Sequence, residues 1–296
     1  MEQLFSRFPH LSEAICDQLN NESFGKFKEV NRSWNMYVTE QKFYEVRIIE
    51  ANIAQFPQIG NGWKEVFKKS SKETLMNLKH ALREFLGKYR YRVIEGLSPL
   101  HVLAGVGPLI LFETIFNKIQ EKHPKDSWGR TPLHYAALFG NLEMCAFIVT
   151  KIDDKNPKDN HGWTPLHTAA YNGHLDICKH IMQKIVDDKN PTTKNGFTPL
   201  HYAAWTGHFK VCEYLIQQVD DKNPRNNHDG LTPMHYAAKY GHLSICELIQ
   251  SYVNDKNPAS NNGTTPQKLA AEFMNSIIVT RLSDYRVTMN SLWNTN

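Results

Sequence analysis

The chain has 296 residues, of which 41% are hydrophobic and 22% charged, and its formal net charge at pH 7 is +4. A charge this small for the length points by itself to no particular partner. No run of about 18 apolar residues occurs, and the N-terminus lacks the apolar segment and cleavage site of a signal peptide. These features predict an intracellular protein without a membrane span, in the cytoplasm or the nucleus.

Apolar residues in the first 48 positions fall at helical spacing in three groups. Leu11, Ile15 and Leu19 form the first group, and Asn20-Asn21 breaks it. The other two groups are Phe24, Phe27 and Val30, and then Trp34 and Val38. Three short amphipathic helices are therefore predicted.

This N-terminal pattern resembles the F-box, the adaptor-binding helical motif of the receptor subunits of ubiquitin ligases. The resemblance rests on a leading Phe-Pro, apolar helix-one residues and an Arg-x-Trp ending at 32–34. It implies that a Skp-type adaptor, and through it a cullin, docks on Phe8, Pro9, Ile15, Leu19 and Trp34. A helical cap that shields the next part of the chain would show the same apolar spacing, and this alternative stays open.

Residues 49–97 are predicted to be a helical linker. Ser70-x-x-Glu73 resembles a capping box, and the apolar stripe behind it is Leu75, Leu78, Leu82 and Phe85. Nine Lys or Arg and three Glu lie between Lys64 and Arg92. We interpret this basic tract as a solvated helix face, with an acidic partner or nucleic acid as the alternative.

From residue 98 onward the sequence repeats with a period of 33 or 34 residues. Thr-Pro-Leu-His or a close variant starts at Ser98, Thr131, Thr164, Thr198, Thr232 and Thr265. Thr before Pro indicates a helix start, and a Gly nine residues after the Thr predicts a left-handed residue that ends the helix. These glycines are Gly107, Gly140, Gly173, Gly207 and Gly241. A second apolar run with helical spacing follows each of them, so every unit is predicted to be two antiparallel helices.

The segments between units are polar and contain Asn-Pro, Asn-Gly or Asp-Gly pairs, which predict exposed turns. With these turns the repeat resembles the ankyrin family, whose unit is a projecting β-turn and two helices with a Thr-Pro-Leu-His-x-Ala signature. The resemblance covers roughly residues 98–275 and implies an all-α solenoid of about five repeats. The unit that begins at Thr265 is predicted to be a capping repeat.

The resemblance implies that a protein partner binds the concave face, which the turns and the first helices form in ankyrin proteins. The positions after the tetrapeptide His and before the helix-ending Gly are rich in aromatic residues. Trp163 and Phe197, which directly precede Thr-Pro, are added to these positions. The predicted partner-binding groove is therefore Tyr135, Phe139, Trp163, Tyr171, Phe197, Tyr202, Trp205, Tyr236 and Tyr240. Tyr and Trp are enriched at interface hot spots, although the same rings could instead cover neighbouring repeats.

Other chemistry is not indicated. Eight of the 14 histidines recur at repeat positions, which favours hydrogen bonding over metal binding or catalysis. The Asp-Asp pairs also follow the period, and no phosphate loop or nucleophile elbow occurs. Four of the five cysteines share one repeat position and are expected to be reduced. No catalytic residue, metal site or cofactor is therefore predicted.

The predicted architecture is an F-box-like module in residues 1–48, a linker in 49–97 and ankyrin repeats with a cap in 98–296. The predicted function is substrate recognition for a cullin-type ubiquitin ligase, with a protein target bound in the groove. The alternative is a non-enzymatic ankyrin scaffold whose N-terminal helices only cap the stack.

Overall fold

A computed structural model of the protein describes residues 66, 70–88, 96–184 and 188–273. The predicted adaptor-docking residues lie outside this part of the chain, namely Phe8, Pro9, Ile15, Leu19 and Trp34. The chain divides into two compact units. One comprises Met1–Pro57 with Ser70–Lys79, and the other comprises Gln58–Lys69 with His80–Asn296.

Every regular element in the described residues is an α-helix, which confirms the predicted all-α class. The helices are α1 Lys72–Lys88, α2 Pro99–Val106, α3 Leu109–Lys118, α4 Pro132–Phe139, α5 Leu142–Lys151, α6 Pro165–Tyr171, α7 Leu175–Lys184, α8 Pro199–Thr206, α9 Phe209–Gln218, α10 Pro233–Lys239, α11 Leu243–Tyr252 and α12 Pro266–Glu272. From α2 to α11 they form five pairs, each made of a first and a second helix, and α12 follows alone.

The first helix of each pair begins at a Thr-Pro dipeptide, or at Ser98-Pro99 in α2. In α8, Thr198 has an extended backbone (φ −99°, ψ 166°), and Pro199 is the first helical residue. His201 Nδ1 accepts a hydrogen bond from the Thr198 backbone N–H at 3.1 Å. This bond caps the helix start and satisfies a backbone group that would otherwise lack a partner.

The predicted left-handed ends are confirmed at four glycines, which have φ between +77° and +84°: Gly140, Gly173, Gly207 and Gly241. At Gly107 the prediction is wrong, because this residue is extended (φ −84°, ψ 158°). Pro108 follows it, and the proline ring disfavours helical backbone in the preceding residue. The first unit therefore turns between its helices through Gly-Pro instead of a left-handed glycine.

The second helices bury one apolar face. In α7 the buried residues are Ile177, Cys178, Ile181 and Met182. First helices pack on first helices from α2 through α12, and second helices pack on second helices from α5 through α11. The core therefore lies between neighbouring units rather than around one centre, as the repeat predicts.

The turns between units are bonded to one another. Within one turn, the Gly196 N–H donates to the Thr193 carbonyl and the Thr193 N–H donates to the Phe197 carbonyl, both at 2.9 Å. The Asn227 N–H of the next turn donates to the Asn195 carbonyl, also at 2.9 Å. Equivalent bonds join the other turns from Trp128 to Asn261, which aligns successive units.

The Asp-Lys-Asn-Pro stretches connect helix ends. Lys222 donates through Nζ to the carbonyl of Ile216 in α9 at 2.7 Å, near the end of that helix. Asn223 accepts through Oδ1 from the N–H of Met234 in α10 at 3.1 Å. The Asn223 N–H in turn donates to Asp221 Oδ1 at 3.1 Å. One short motif thus provides hydrogen-bond partners for the end of one helix and for the start of the next.

Helix α1 precedes the first pair. The helix-start hydroxyl belongs to Ser71 rather than to the predicted Ser70, since Ser71 Oγ accepts from the Thr74 N–H at 3.3 Å. Leu78, Leu82 and Phe85 of the predicted stripe are buried. Helix α1 is therefore amphipathic, with these three residues on its buried side.

Candidate protein-binding surface

The tetrapeptide histidines form a buried hydrogen-bonded series. His201 Nδ1 lies 2.9 Å from Thr198 Oγ1, and its Nε2 lies 3.2 Å from the carbonyl of Leu231 in the next turn. The same pattern recurs at His101, His134, His167 and His235. Because Nδ1 accepts from a backbone N–H and a carbonyl can only accept, the proton sits on Nε2 of a neutral ring. These residues join units, as predicted, and leave no ring nitrogen for a ligand.

Burial keeps these rings uncharged. It lowers the pKa of His201 to about 4 and that of His167 to about 3. Desolvation disfavours the imidazolium, and a second proton on Nδ1 would also displace the bond from the threonine N–H. These histidines are therefore poor proton carriers near neutral pH.

A second set of histidines follows the helix-ending glycines. Nε2 of His174, His208 and His242 lies 3.1 to 3.2 Å from the carbonyls of Leu138, Tyr171 and Trp205 respectively. Each bond reaches back to the last turn of the first helix in the preceding unit. These contacts set the positions of the first-helix ends, where the predicted groove residues lie.

Five of the predicted groove residues form a partly exposed row of rings that we call the aromatic surface. They are Trp163, Tyr171, Phe197, Trp205 and Tyr240. Tyr171 is 40% exposed and Tyr240 is 42% exposed. Trp205 stacks on Tyr240 with ring centroids 5.7 Å apart, and Trp163 lies 5.9 Å from Tyr171.

Two further predicted rings are buried beneath this row. Tyr202 lies 4.1 Å from Trp163 and 6.2 Å from Trp205, measured between ring centroids. Tyr236 lies 5.6 Å from Trp205 and 5.5 Å from Phe197. Both are less than a tenth exposed, and burial raises the pKa of the Tyr202 hydroxyl to about 12. They hold the exposed rings in place.

Tyr135 differs from the exposed groove residues in its burial. Tyr135 is fully buried, and its hydroxyl donates to Asp126 Oδ2 at 2.7 Å. Its ring packs on Phe85, which also packs on Phe139. The prediction of Tyr135 as an exposed groove residue is wrong, because its ring packs on Phe85 and its hydroxyl is bonded to Asp126. Phe139 is half-buried against the same α1 residue.

Phe273, at the far end of the aromatic surface, was missed by the sequence prediction. Phe273 is 51% exposed, and the Lys239 ammonium lies 4.8 Å from its ring centroid and 5.4 Å from that of Tyr240. Phe273 follows Thr265 by eight residues, as Tyr240 follows Thr232. Counting from the threonine instead of from a helix-ending glycine would have found it.

The described residues hold no group of three or more His, Cys, Asp or Glu side chains that could bind a metal ion. Cys145, Cys178, Cys212 and Cys246 are free and buried, and burial raises the pKa of Cys178 and Cys246 to about 12. Such thiols are unreactive core residues. In the part of the chain that the structure describes, no helix is both long enough and apolar enough to cross a membrane.

Comparison with known proteins gives one family. A family model for ankyrin repeats matches three times, at residues 74–193, 152–226 and 220–291. The match begins after the F-box-like segment and therefore does not bear on it. A search of curated proteins found no match. Ankyrin repeats are protein–protein interaction modules, so a protein is the expected partner. Since the matched residues cover more than half of the chain, this protein belongs to the ankyrin-repeat family.

Proposed function

We propose that the protein binds a protein partner through the aromatic surface. The observation that carries this proposal is the set of partly exposed rings from Trp163 to Tyr240, which are joined to one another through the buried rings of Tyr202 and Tyr236. Exposed aromatic rings in contact with one another are typical of interaction sites. The histidines of the buried series are fully hydrogen-bonded and the thiols are buried, so neither group indicates a different function.

The rings are already ordered before a partner arrives. Trp205 stacks with both Tyr236 and Tyr240, with ring centroids 5.6 and 5.7 Å apart, and its backbone carbonyl is bonded by His242. Ordering a side chain at an interface costs about 0.5–1.5 kcal/mol, and a ring already packed against two others avoids most of that cost. Binding energy from its contact area is therefore retained as affinity.

The test is retention of partners from cell extract by the full chain. We expect the variant with Trp205→Ala and Tyr240→Ala to lose the specific partners, with affinity reduced roughly ten-fold or more. Its thermal unfolding should change little, because both rings are partly exposed. Tyr252→Ala is the matched control, since Tyr252 is 43% exposed but lies at the end of second helix α11. Equal retention by the wild type and the double variant would contradict the proposal.

We further propose that the protein is a substrate receptor of a cullin-type ubiquitin ligase. What supports this is the F-box-like pattern of residues 1–48, with Phe8, Pro9, Ile15, Leu19 and Trp34 as the adaptor-docking residues. The four free buried cysteines are consistent with a reducing intracellular setting. The alternative is an ankyrin scaffold in which the same residues cap the stack.

Docking and capping predict different results for the full chain with Ile15→Ala and Leu19→Ala. A docking segment predicts loss of the Skp-type adaptor and cullin from a pull-down, with the thermal unfolding of the repeats unchanged. A cap predicts a lower unfolding temperature of the repeats, and no adaptor retained even by the wild type. The Trp205→Ala, Tyr240→Ala variant is the control, since it should keep the adaptor and lose the target.

A further inference from the structure

One repeat position changes from tyrosine to threonine in the middle of the stack. The residue after the tetrapeptide His is tyrosine in the second, fourth and fifth units (Tyr135, Tyr202 and Tyr236). In the third unit it is Thr168. In the second unit the Tyr135 hydroxyl donates to Asp126 at 2.7 Å, and in the fifth the Tyr236 hydroxyl accepts from Asn226 at 3.4 Å. The third unit therefore lacks a ring that its neighbours possess.

The surroundings of such a ring are defined at Tyr202. Rings within about 6 Å of Tyr202 are Trp163, His167, Tyr171, Phe197 and Trp205. Subtracting one repeat length from these positions gives Arg130, His134, Leu138, Trp163 and Tyr171, with Thr168 in the place of Tyr202.

All six of these positions line a pocket of about 140 Å³. Tyr135 and Asn172 complete its wall. A cavity of about 150 Å³ accommodates a benzene ring. Since the residues that enclose Tyr202 have their counterparts around this pocket, the pocket is the space of the missing tyrosine ring. Tyr171, which also lines the pocket, is 40% exposed.

The hydroxyl acceptor of the missing tyrosine is still present. Asp159 is the counterpart of Asp126, and its Oδ1 likewise accepts two backbone N–H groups, from His161 and Trp163 at 2.8 Å. Its Oδ2 is buried without a hydrogen-bond partner, whereas Asp126 Oδ2 accepts from Tyr135. The nearest cation is Arg130, whose Nε lies 3.7 Å from Oδ2 and which also lines the pocket. A buried acceptor without a donor is costly, and a phenol O–H would satisfy it.

We propose that this pocket binds a tyrosine side chain presented by the protein partner. The ring packs between Trp163, Leu138 and the Arg130 guanidinium, and the hydroxyl donates to Asp159 Oδ2. The inserted residue completes the series formed by Tyr135, Tyr202 and Tyr236. This inference rests on the proposed function, because the pocket adjoins the aromatic surface at Trp163 and Tyr171.

The test uses N-acetyl-tyrosinamide as the probe and N-acetyl-phenylalaninamide as its matched control. Binding to the full chain is followed by the NMR shift of the Trp163 indole N–H, since Trp163 lines the pocket. We expect saturable binding of the tyrosine probe with a Kd on the order of 1 mM. The phenylalanine probe should bind roughly ten-fold more weakly, because a hydrogen bond to a charged acceptor is lost.

Three variants locate the site. Thr168→Tyr supplies the ring from the chain itself and should abolish probe binding while raising the unfolding temperature. Leu138→Trp narrows the pocket from another wall and serves if Thr168→Tyr folds poorly. Asp159→Asn should bring the two probe affinities together by removing the buried charge, and Asn226 occupies the same turn position in the fifth unit.

The outcomes are distinct. No saturable shift in the wild type, an unchanged shift in Thr168→Tyr and Leu138→Trp, or equal affinity of the two probes for the wild type would each overturn the assignment. The proposed function is measured separately, by partner retention in the Trp205→Ala, Tyr240→Ala variant. Partner retention that depends on Trp205 but not on Thr168 would reject the tyrosine pocket alone.

Discussion

At the scale of single residues, repeat position decides what a side chain does. His201 is buried and neutral between Thr198 and the next turn, whereas His242 holds the carbonyl of Trp205 from outside the helix. Gly207 allows that second contact, because a Cβ at this position would collide with the His242 ring. A conformation and a contact therefore both require glycine at this position.

Comparing two glycines distinguishes the effect of backbone conformation from the effect of steric contact. Gly207 (φ +83°) and Gly263 (φ +73°) share a left-handed backbone, but a Cβ at Gly207 would lie 2.6 Å from His242 and one at Gly263 would meet no atom within 4 Å. We expect Gly263→Ala to cost about 1 kcal/mol of unfolding free energy from backbone strain. Gly207→Ala should cost about 1–3 kcal/mol more, because the His242 ring must move. Urea unfolding measures both, and equal losses would contradict the steric argument.

The buried histidines predict a fall in stability on acidification. Burial lowers the pKa of His101 and His201 to about 4 and of His134 and His167 to about 3, from 6.5 in the unfolded chain. Between these values the unfolded state binds more protons, so acidification favours unfolding. The stabilising effect is complete above about pH 6.5 and is lost toward pH 4 and below, by up to about 1.4 kcal/mol per pH unit for each histidine.

The measurement is urea unfolding between pH 7 and pH 5. His201→Gln should lower stability at pH 7 and reduce the slope against pH, while His228→Gln, an exposed turn residue, controls for the loss of a histidine. An identical slope in His201→Gln and the wild type would show that this ring does not carry the effect.

At the scale of elements, short helices depend on groups outside them. The first helices have only seven or eight residues, too few to be stable alone. Threonine, proline and histidine serve the start of each one, and the Asn of the preceding Asp-Lys-Asn-Pro stretch supplies a further acceptor in three units. Helix formation is therefore coupled to the order of the connecting turns.

Asn223→Ala tests this coupling. Removing Oδ1 leaves the Met234 N–H without its acceptor, and we expect a loss of about 1–2 kcal/mol in unfolding free energy. Asn223→Asp keeps an oxygen at the same place and should retain most of the stability. Chemical unfolding measures both variants. A loss in Asn223→Asp as large as in Asn223→Ala would mean that the contact itself contributes little.

At the scale of the whole molecule, stability passes from unit to unit. Each first helix packs on the next first helix, and the cores of neighbouring pairs are shared. In such an array the stability is close to a sum of unit and nearest-neighbour contributions. A defect in one unit should therefore weaken its neighbours more than distant units.

Leu215→Ala probes this behaviour in the fourth unit. Leu215 is 1% exposed in α9, so its truncation should cost about 2–5 kcal/mol locally. We expect hydrogen exchange to accelerate most in α6 to α11 and least in α2 and α3. Equal acceleration in all helices would show instead that the repeats unfold as one cooperative unit.

Which positions contribute to the aromatic surface could largely be predicted from the repeat pattern, but the burial of each ring could not. The row from Trp163 to Tyr240 follows from counting positions within the repeat. The burial of Tyr135 depends on Phe85 in α1 and on Asp126 in the turn, and neither contact is visible in the repeat pattern. The adaptor-docking residues of the F-box-like segment stay a prediction.

The sequence by itself determined the period, the helix starts at Thr-Pro, most of the helix ends and the inter-unit role of the histidines. These features depend on interactions within one unit or on one contact repeated at every junction. Only the tertiary structure decided which rings are exposed, that a pocket lies next to Thr168, and that Asp159 Oδ2 has no hydrogen-bond partner. Exposure and empty space depend on the side chains that a neighbouring unit supplies, and these differ from one junction to the next.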